Sequence, residues 1–402
     1  MLGFNIHMPL QPDAVQHVLL DNAANYEKPK IVKGLLAPVI GRGLLTSDGT
    51  LWREQRRIVA ASFVPAAVDS LIPSFANAAT ATMARWEAGD PVDMAVEATT
   101  TTMRIIADSL FGGDSRLTSD VAMRHIAAAL EAFSGRRVQA LLGLPAIALT
   151  ARARAGQRGQ RYLRETLAEV VRDRFCNGRS EDFLGQLIAA LEKRFGRNEA
   201  ESLAIDNAAT FYLAGHETTA NAVAWALFLL SEQPELQRQV AIEAQAALSA
   251  GADDPLLPDR LPLLRRTLEE TLRLYPSAPR IDRQAVAVDR LGDHHVAAGD
   301  IVSIWPWLIH RHKRLWNDPD VFDADRFLPD RKAKRHRFQY IPFGGGSRVC
   351  VGARFATAEA LTILSHWLST WQFTPVPGHI VRPSGMVTLR PAGGLPLRLR
   401  RR

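Results

Sequence analysis

The chain has 402 residues, 47% of them apolar and 23% charged, a globular composition that excludes a disordered, collagenous or low-complexity protein. Its 49 Lys+Arg against 42 Asp+Glu leave a formal charge of +7, bunched partly in the run RKAKRHR at 331–337 and in LRLRRR at the C-terminus. Such an excess favours an acidic partner surface. No zinc-finger spacing, RNA-binding aromatic signature or Walker loop accompanies it, so no nucleic-acid partner is expected.

The two cysteines, Cys176 and Cys350, stand far apart in unlike contexts, which argues against a disulfide framework and for a reducing compartment. No stretch reads as a membrane span. The N-terminus carries Asp13, His17 and Asp21 and no signal-peptide cleavage pattern, so the expectation is a cytoplasmic protein.

In chain order, Ile6–Leu10 has strand character, and Pro12–Leu20 reads as a helix with Val15, Val18 and Leu19 on one face. Residues 41–49 read as a loop, and a basic amphipathic helix runs from Trp52 toward Phe63. Trp52 and Arg56 lie one helical turn apart and can point at one ligand, though a plain surface helix explains them as well. Helices are predicted over Met123–Phe133, Tyr162–Phe175 and Glu181–Leu191, with loops at 112–114 and 177–178.

Leu203–Ser231 reads as one long, nearly continuous helix, stopped at Pro234. Inside it stands Ala214-Gly215-His216-Glu217-Thr218-Thr219. A mid-helix glycine costs roughly 1 kcal/mol against alanine. It is tolerated where a ligand lies against the backbone, and a threonine there can open a local kink. Leu261–Tyr275 is the next helix, ended by Pro276 and Pro279, with Glu270 and Arg273 on one face. Strand-like pieces follow at Ile281–Val288 and Ile301–Trp307, and the C-terminal part, Phe373–Leu399, reads as strands with Gly and Pro turns. The pattern predicts a mostly α fold with small β-sheets.

The densest chemistry lies in Phe343-Gly344-Gly345-Gly346-Ser347-Arg348-Val349-Cys350-Val351-Gly352, just before a helix beginning near Ala353. A cysteine before a helix N-terminus gains from the dipole and from free N–H groups, both of which favour the thiolate. Glycines let the backbone approach a flat ligand and donate N–H groups to sulfur, and Arg348 supplies a permanent positive charge for an acidic ligand group. A thiolate with space cleared for a planar macrocycle is what thiolate-ligated haem requires. A buried structural cysteine in a glycine-rich loop is the plain alternative. His310 and His312 form a His-x-His pair without carboxylate or cysteine context, which reads as a loop contact rather than a metal site.

The spacing of Phe343, Gly346, Arg348, Cys350 and Gly352 resembles the haem-thiolate signature of the cytochrome P450 superfamily. The resemblance runs from about Ile6 to the C-terminus. It implies a single domain over 1–402, mostly helical, holding haem b (iron protoporphyrin IX) between the long helix and the Cys350 loop. Cys350 would be the axial iron ligand, with Phe343 and Gly344 in the same loop. Glu217 and Thr218 would form an acid–alcohol pair relaying protons, and Ala214 and Gly215 would leave room for oxygen and substrate. Trp52, Arg56, Arg283 and Arg348 would face the haem propionates. Glu270 and Arg273 would form a buried ion pair joined by Arg326, in a segment with Ala324 where the family usually has proline, from which a local loosening is expected.

The implied activity is monooxygenation of a hydrophobic small molecule with O₂. Electrons would come from a separate acidic ferredoxin or flavodoxin docking near the basic run at 331–337, with Arg53 and Arg57 extending that patch. The protein is expected to act as a monomer. Two rivals stay open: a peroxide-using or rearranging haem-thiolate enzyme, and a non-enzymatic haem-binding remnant. Family members usually carry several dozen residues before the part resembling Ile6–Leu20, so the sheet is expected to lack an edge partner. Expected pocket residues are the loop Ile31–Leu45, Ala214, Ala278–Ile281 and Ser384–Val387. The wording around Trp52 and Glu-Thr-Leu-Arg-Leu-Tyr-Pro resembles the fatty-acid and eukaryote-like branch, which leans toward fatty acids or isoprenoids.

Overall fold

A computed structural model describes residues 4–402 except 120, 123, 126–127, 129–149, 179–181 and 386. The predicted helix over Met123–Phe133 falls largely outside the described residues. Packing divides the rest into two compact units, one of residues 1–27, 65–102 and 217–402, the other of 28–64 and 103–216.

The first unit holds the small sheets. Four short strands, β1 (Ile6–His7), β2 (Tyr26–Glu27), β4 (Ile281–Ala285) and β7 (Ile301–Ile304), form one sheet in the order β1-β7-β4-β2. β1 runs parallel to β7, with Ile6 opposite Ile301, and the other pairs are antiparallel. β1 is an edge strand, and Ile6 and Met8 beside it are exposed. Val15, Val18, Leu19, Val302, Ile304, Ile309, Phe338 and Ile341 close the core behind this sheet. A second sheet joins β3 (Pro91–Asp93), β11 (Pro396–Arg401) and β8 (Trp371–Pro375). β5 (Asp289–Leu291) pairs with β6 (His294–Val296), and β9 (Arg382–Gly385) with β10 (Leu389–Ala392).

The helix Ala353–Thr370 is the spine of this unit. Trp367 donates its indole N–H to the Ala79 carbonyl at 3.1 Å, and Phe355 meets Phe75 edge-to-face at 4.9 Å. In the second unit, Phe63, Phe183 and Phe211 cluster, and the Tyr212 hydroxyl donates to the Leu117 carbonyl at 2.6 Å.

Most predicted elements appear with shifted ends. The long helix is Arg197–Ser231, six residues earlier at its start than the sequence suggests (Arg197 against Leu203); it is mostly buried from Leu203 on, whereas Arg197, Asn198, Glu199 and Ser202 in the added turns are exposed. Those first turns are polar, so they carry no apolar periodicity from which a helix start could be read. Strand Ile6–Leu10 shrinks to Ile6–His7, and helix Pro12–Leu20 becomes Pro12–Gln16 followed by a wider turn over His17–Asp21. One expectation is corrected outright: Lys30–Ile40 is a helix, not a loop. Its Gly34 and Pro38 are breakers by type, yet the helix ends only at Gly41, whose φ of 51° stops it and whose N–H caps the Ala37 carbonyl at 2.9 Å.

Candidate active site

Cys350 sits in a turn closed by backbone bonds. Its N–H donates to the Phe343 carbonyl at 2.9 Å, Gly344 N–H donates to Ile341 at 3.0 Å, and Val349 N–H donates to Gly346 at 3.2 Å. Two residues later Gly352 is the N-cap of the helix Ala353–Thr370. Gly344 (φ 75°) and Gly346 (φ 67°) both occupy the left-handed region. A Cβ on Gly346 would stand 1.7 Å from the Leu19 carbonyl oxygen, a backbone atom that cannot yield, so this turn admits no side chain there. A Cβ on Gly344 would touch the Ile281 side chain at 3.6 Å, which places β4, with Arg283 two residues on, beside the cysteine turn.

The Cys350 side chain is exposed and no disulfide joins it to Cys176. Arg348 is half-buried in the same turn, and Arg283 is buried on β4, where it donates to the Asp282 carbonyl at 2.9 Å. Among the described residues no three His, Cys, Asp or Glu side chains converge as a metal site. One soft sulfur donor on a turn that excludes side chains, flanked by arginines, therefore fits a group that brings its own nitrogen ligands, as haem does, and not a protein-only metal cage. His312 is a loop contact, its Nδ1 accepting from Arg314 N–H at 3.2 Å.

On the long helix, Glu217 and Thr218 belong to the same unit as Cys350. Glu217 is half-buried, and its carboxylate accepts from the Thr388 hydroxyl at 2.6 Å. Ser277 donates to the Thr218 carbonyl at 2.7 Å, Leu389 N–H donates to the Ser277 carbonyl at 3.0 Å, and Trp225 donates to the Leu389 carbonyl at 3.0 Å. The start of β10 thus ties the helix at 217, 218 and 225. Thr388 is invisible to motif reading, since a lone threonine 171 positions from Glu217 leaves no spacing to find.

Glu359 is a second residue that motif reading missed. It is fully buried on the helix that follows Cys350, and burial pushes its carboxyl well above the ordinary range, with Thr219 of the long helix pulling the other way. A charged residue inside the apolar run 353–370 was the available signal.

Ala214, Gly215, Trp52 and Arg56 belong to the second unit. Ala214 is exposed although Leu213 and His216 beside it are buried. A Cβ on Gly215 would stand 2.5 Å from Ile106 Cδ1, the far end of a side chain on a neighbouring helix. Trp52 and Arg56 are both half-buried on the helix Gly49–Ala60. Buried Gln55 between them accepts from Asn207 Nδ2 at 2.6 Å and donates to the Arg42 carbonyl at 3.1 Å. Asn207 also accepts from Leu44 N–H at 3.0 Å, so one amide pair orients both the 41–48 loop and the Trp52 helix.

The predicted ion pair is present. Arg273 meets Glu270 through two bonds of 2.7 Å, both side chains fully buried, and Arg326 Nε lies 3.3 Å from Glu270. Around Ala324 the chain forms a tight turn, with Asp323 accepting from Asp325 N–H at 2.9 Å. The basic run is not uniformly a solvated loop. Arg331 pairs with Asp323 at 3.4 Å and Lys332 with Glu269 at 2.6 Å, both cations half-exposed or more. Arg335 instead stacks over Trp316 and Phe327 at 4.4 and 4.5 Å.

Among the described residues no single helix is long and apolar enough to cross a membrane. The Cytochrome P450 family model matches residues 3–394. Cyclooctatin synthase of Streptomyces melanosporofaciens is 32% identical over 96% of this chain and 84% of its own length. Pentalenene oxygenase of Streptomyces avermitilis is 28% identical over 98% of this chain and 87% of its own length. Among solved structures, the cytochrome P450DA heme domain matches in fold with a TM-score of 0.85 at 24% identity, over 98% of this chain and 87% of that one. The chain belongs to the cytochrome P450 family and is a haem-dependent monooxygenase.

Proposed function

We propose that the Cys350 thiolate would hold the iron of haem b and that the enzyme hydroxylates a hydrocarbon-rich small molecule, with electrons from a separate acidic ferredoxin or flavodoxin. The observation that carries this reading is the Cys350 turn: one cysteine whose backbone N–H is held by the Phe343 carbonyl, on a backbone where Gly346 admits no side chain. Arg283 and Arg348 would pair with the haem propionates, because guanidinium forks match carboxylates bidentately. When bound, haem supplies the reductive activation of O₂ and the transfer of one oxygen atom into a C–H bond.

The chain's own residues then position and protonate. Glu217, fixed by Thr388, holds a carboxylate beside Thr218, and this pair delivers protons toward the oxygen site. Ala278, Pro279, Ile281 and Val387 would line the substrate side with apolar surface. An alkene and an alkenol appear in the names pentalenene oxygenase and cyclooctat-9-en-7-ol 5-monooxygenase, which supports a hydrocarbon-rich substrate for this chain too.

The test is the absorbance of the dithionite-reduced, CO-bound protein. A strongly red-shifted Soret band in wild type that disappears in Cys350→Ala is the expected result. Retention of that band without the cysteine overturns the assignment. NAD(P)H-driven turnover with a surrogate ferredoxin pair separates this reading from a peroxide-using enzyme, which would consume no NAD(P)H.

A further inference from the structure

His310 is fully buried at the end of the short helix Pro306–Ile309, and both of its ring nitrogens are engaged by backbone. Nδ1 donates to the carbonyl of Arg273 at 3.2 Å, and Nε2 accepts from the N–H of Ile341 at 2.9 Å. These partners dictate the neutral imidazole with its proton on Nδ1, because a carbonyl can only accept and an amide N–H can only donate. Burial, with the Arg273 and Arg311 charges nearby, pushes the ring down to about 3, so the neutral form persists at any working pH.

The two segments that His310 joins are the ion-pair helix and the chain entering the cysteine turn. On one side, Arg273 bonds Glu270 and also donates back to the His310 carbonyl at 2.8 Å. On the other, the Ile341 carbonyl accepts from Gly344 N–H, and the Phe343 carbonyl accepts from Cys350 N–H. A continuous series of hydrogen bonds and two or three residues of backbone thus runs from the Glu270–Arg273 pair through one imidazole to Cys350. The ring is planar and rigid, with a donor and an acceptor on opposite edges. An aliphatic residue of similar size fills the space but leaves the Ile341 N–H buried without its acceptor.

We propose that His310 is a positioning residue for the thiolate: its neutral ring sets where the Ile341–Phe343 segment lies relative to the ion-pair helix, and so where the Cys350 sulfur stands. This rests on the reading of Cys350 as the haem ligand. It assigns His310 a role separate from metal binding.

The test uses the haem-loaded protein and its variants His310→Leu, which keeps volume and removes both polar edges, and His310→Gln, which restores an acceptor and a donor. Two quantities are read: the ratio of red-shifted to unshifted Soret band in the reduced, CO-bound state, and hydrogen exchange of the 338–350 peptide. The Leu variant is expected to lower the ratio by roughly tenfold and to speed exchange at Ile341 by a similar factor, while the Gln variant stays close to wild type. A Leu variant matching wild type in both, or Leu and Gln variants equally impaired, overturns the proposal. If the Leu variant does not fold, wild-type exchange decides: an Ile341 amide exchanging as fast as exposed loop amides also overturns it. Retention of the red-shifted band in Cys350→Ala, by contrast, defeats the ligand reading and leaves the exchange result at Ile341 to stand by itself.

Discussion

At the scale of single residues, the chemistry of the site depends on side chains that meet across long sequence separations. Glu217 is held by Thr388 through one 2.6 Å bond. Thr388→Val removes that donor without changing shape, and it is expected to slow substrate turnover roughly fivefold while leaving substrate-induced spectral binding unchanged. Thr388→Ser restores the rate. Turnover equal to wild type in the Val variant would remove Thr388 from the account of the acid.

Glu359 carries a pH prediction. Its folded-state carboxyl lies well above the ordinary 4.5, and burial is the main cause. Between those two values the unfolded chain binds fewer protons than the folded one, so the wild type loses stability as pH rises above about 4.5. Glu359→Gln keeps the neutral shape and removes the titration. Its melting midpoint is expected to exceed that of wild type at pH 8 and to match it near pH 4. A constant difference at both pH values would count against this reading.

At the scale of elements, the cysteine turn and the long helix follow different logic. The turn is dictated by backbone: Gly346 needs both its left-handed φ and its missing Cβ against Leu19. Gly346→Ala is expected to destabilise the protein by at least about 2 kcal/mol and to deplete bound haem on purification, read as the Soret-to-protein absorbance ratio. A full haem complement in that variant would show that the Leu19 segment moves aside. The long helix is dictated by burial. Its apolar content was plain in the residues from Leu203 onward, but its polar members Asp206 and Asn207 carried no visible purpose. The structure supplies one: Asp206 accepts from Arg42 N–H and from Arg164 at 2.7 and 2.6 Å, and Asn207 holds Gln55. The helix Lys30–Ile40 was illegible for the opposite reason, because Gly34 and Pro38 signal a loop and only the surrounding packing outweighs them.

For the whole molecule, the net charge of +7 was legible from composition, and its use depends on which cations reach solvent. Arg335 stacks on aromatic rings, whereas Arg331 and Lys332 remain outside. The double change Arg331→Glu, Lys332→Glu is therefore expected to slow reduction by an acidic ferredoxin roughly tenfold at low ionic strength, with the difference shrinking in high salt. Stopped-flow reduction under CO measures it, and a rate insensitive to the reversal would move the docking surface elsewhere.

What this sequence determined by itself was local and short in reach: the Cys350 turn, the Glu270–Arg273 pair and the helical bulk between them. Each is written in residues within a few positions of one another, where backbone conformation and helical spacing act directly. Only the tertiary structure decided which partners those residues meet: Thr388 on Glu217, Thr219 beside Glu359, Asn207 on Gln55, and His310 between Arg273 and Ile341. A buried polar group must find a hydrogen-bond partner, but any segment that packing brings near can provide it, and that choice is made by the fold as a whole.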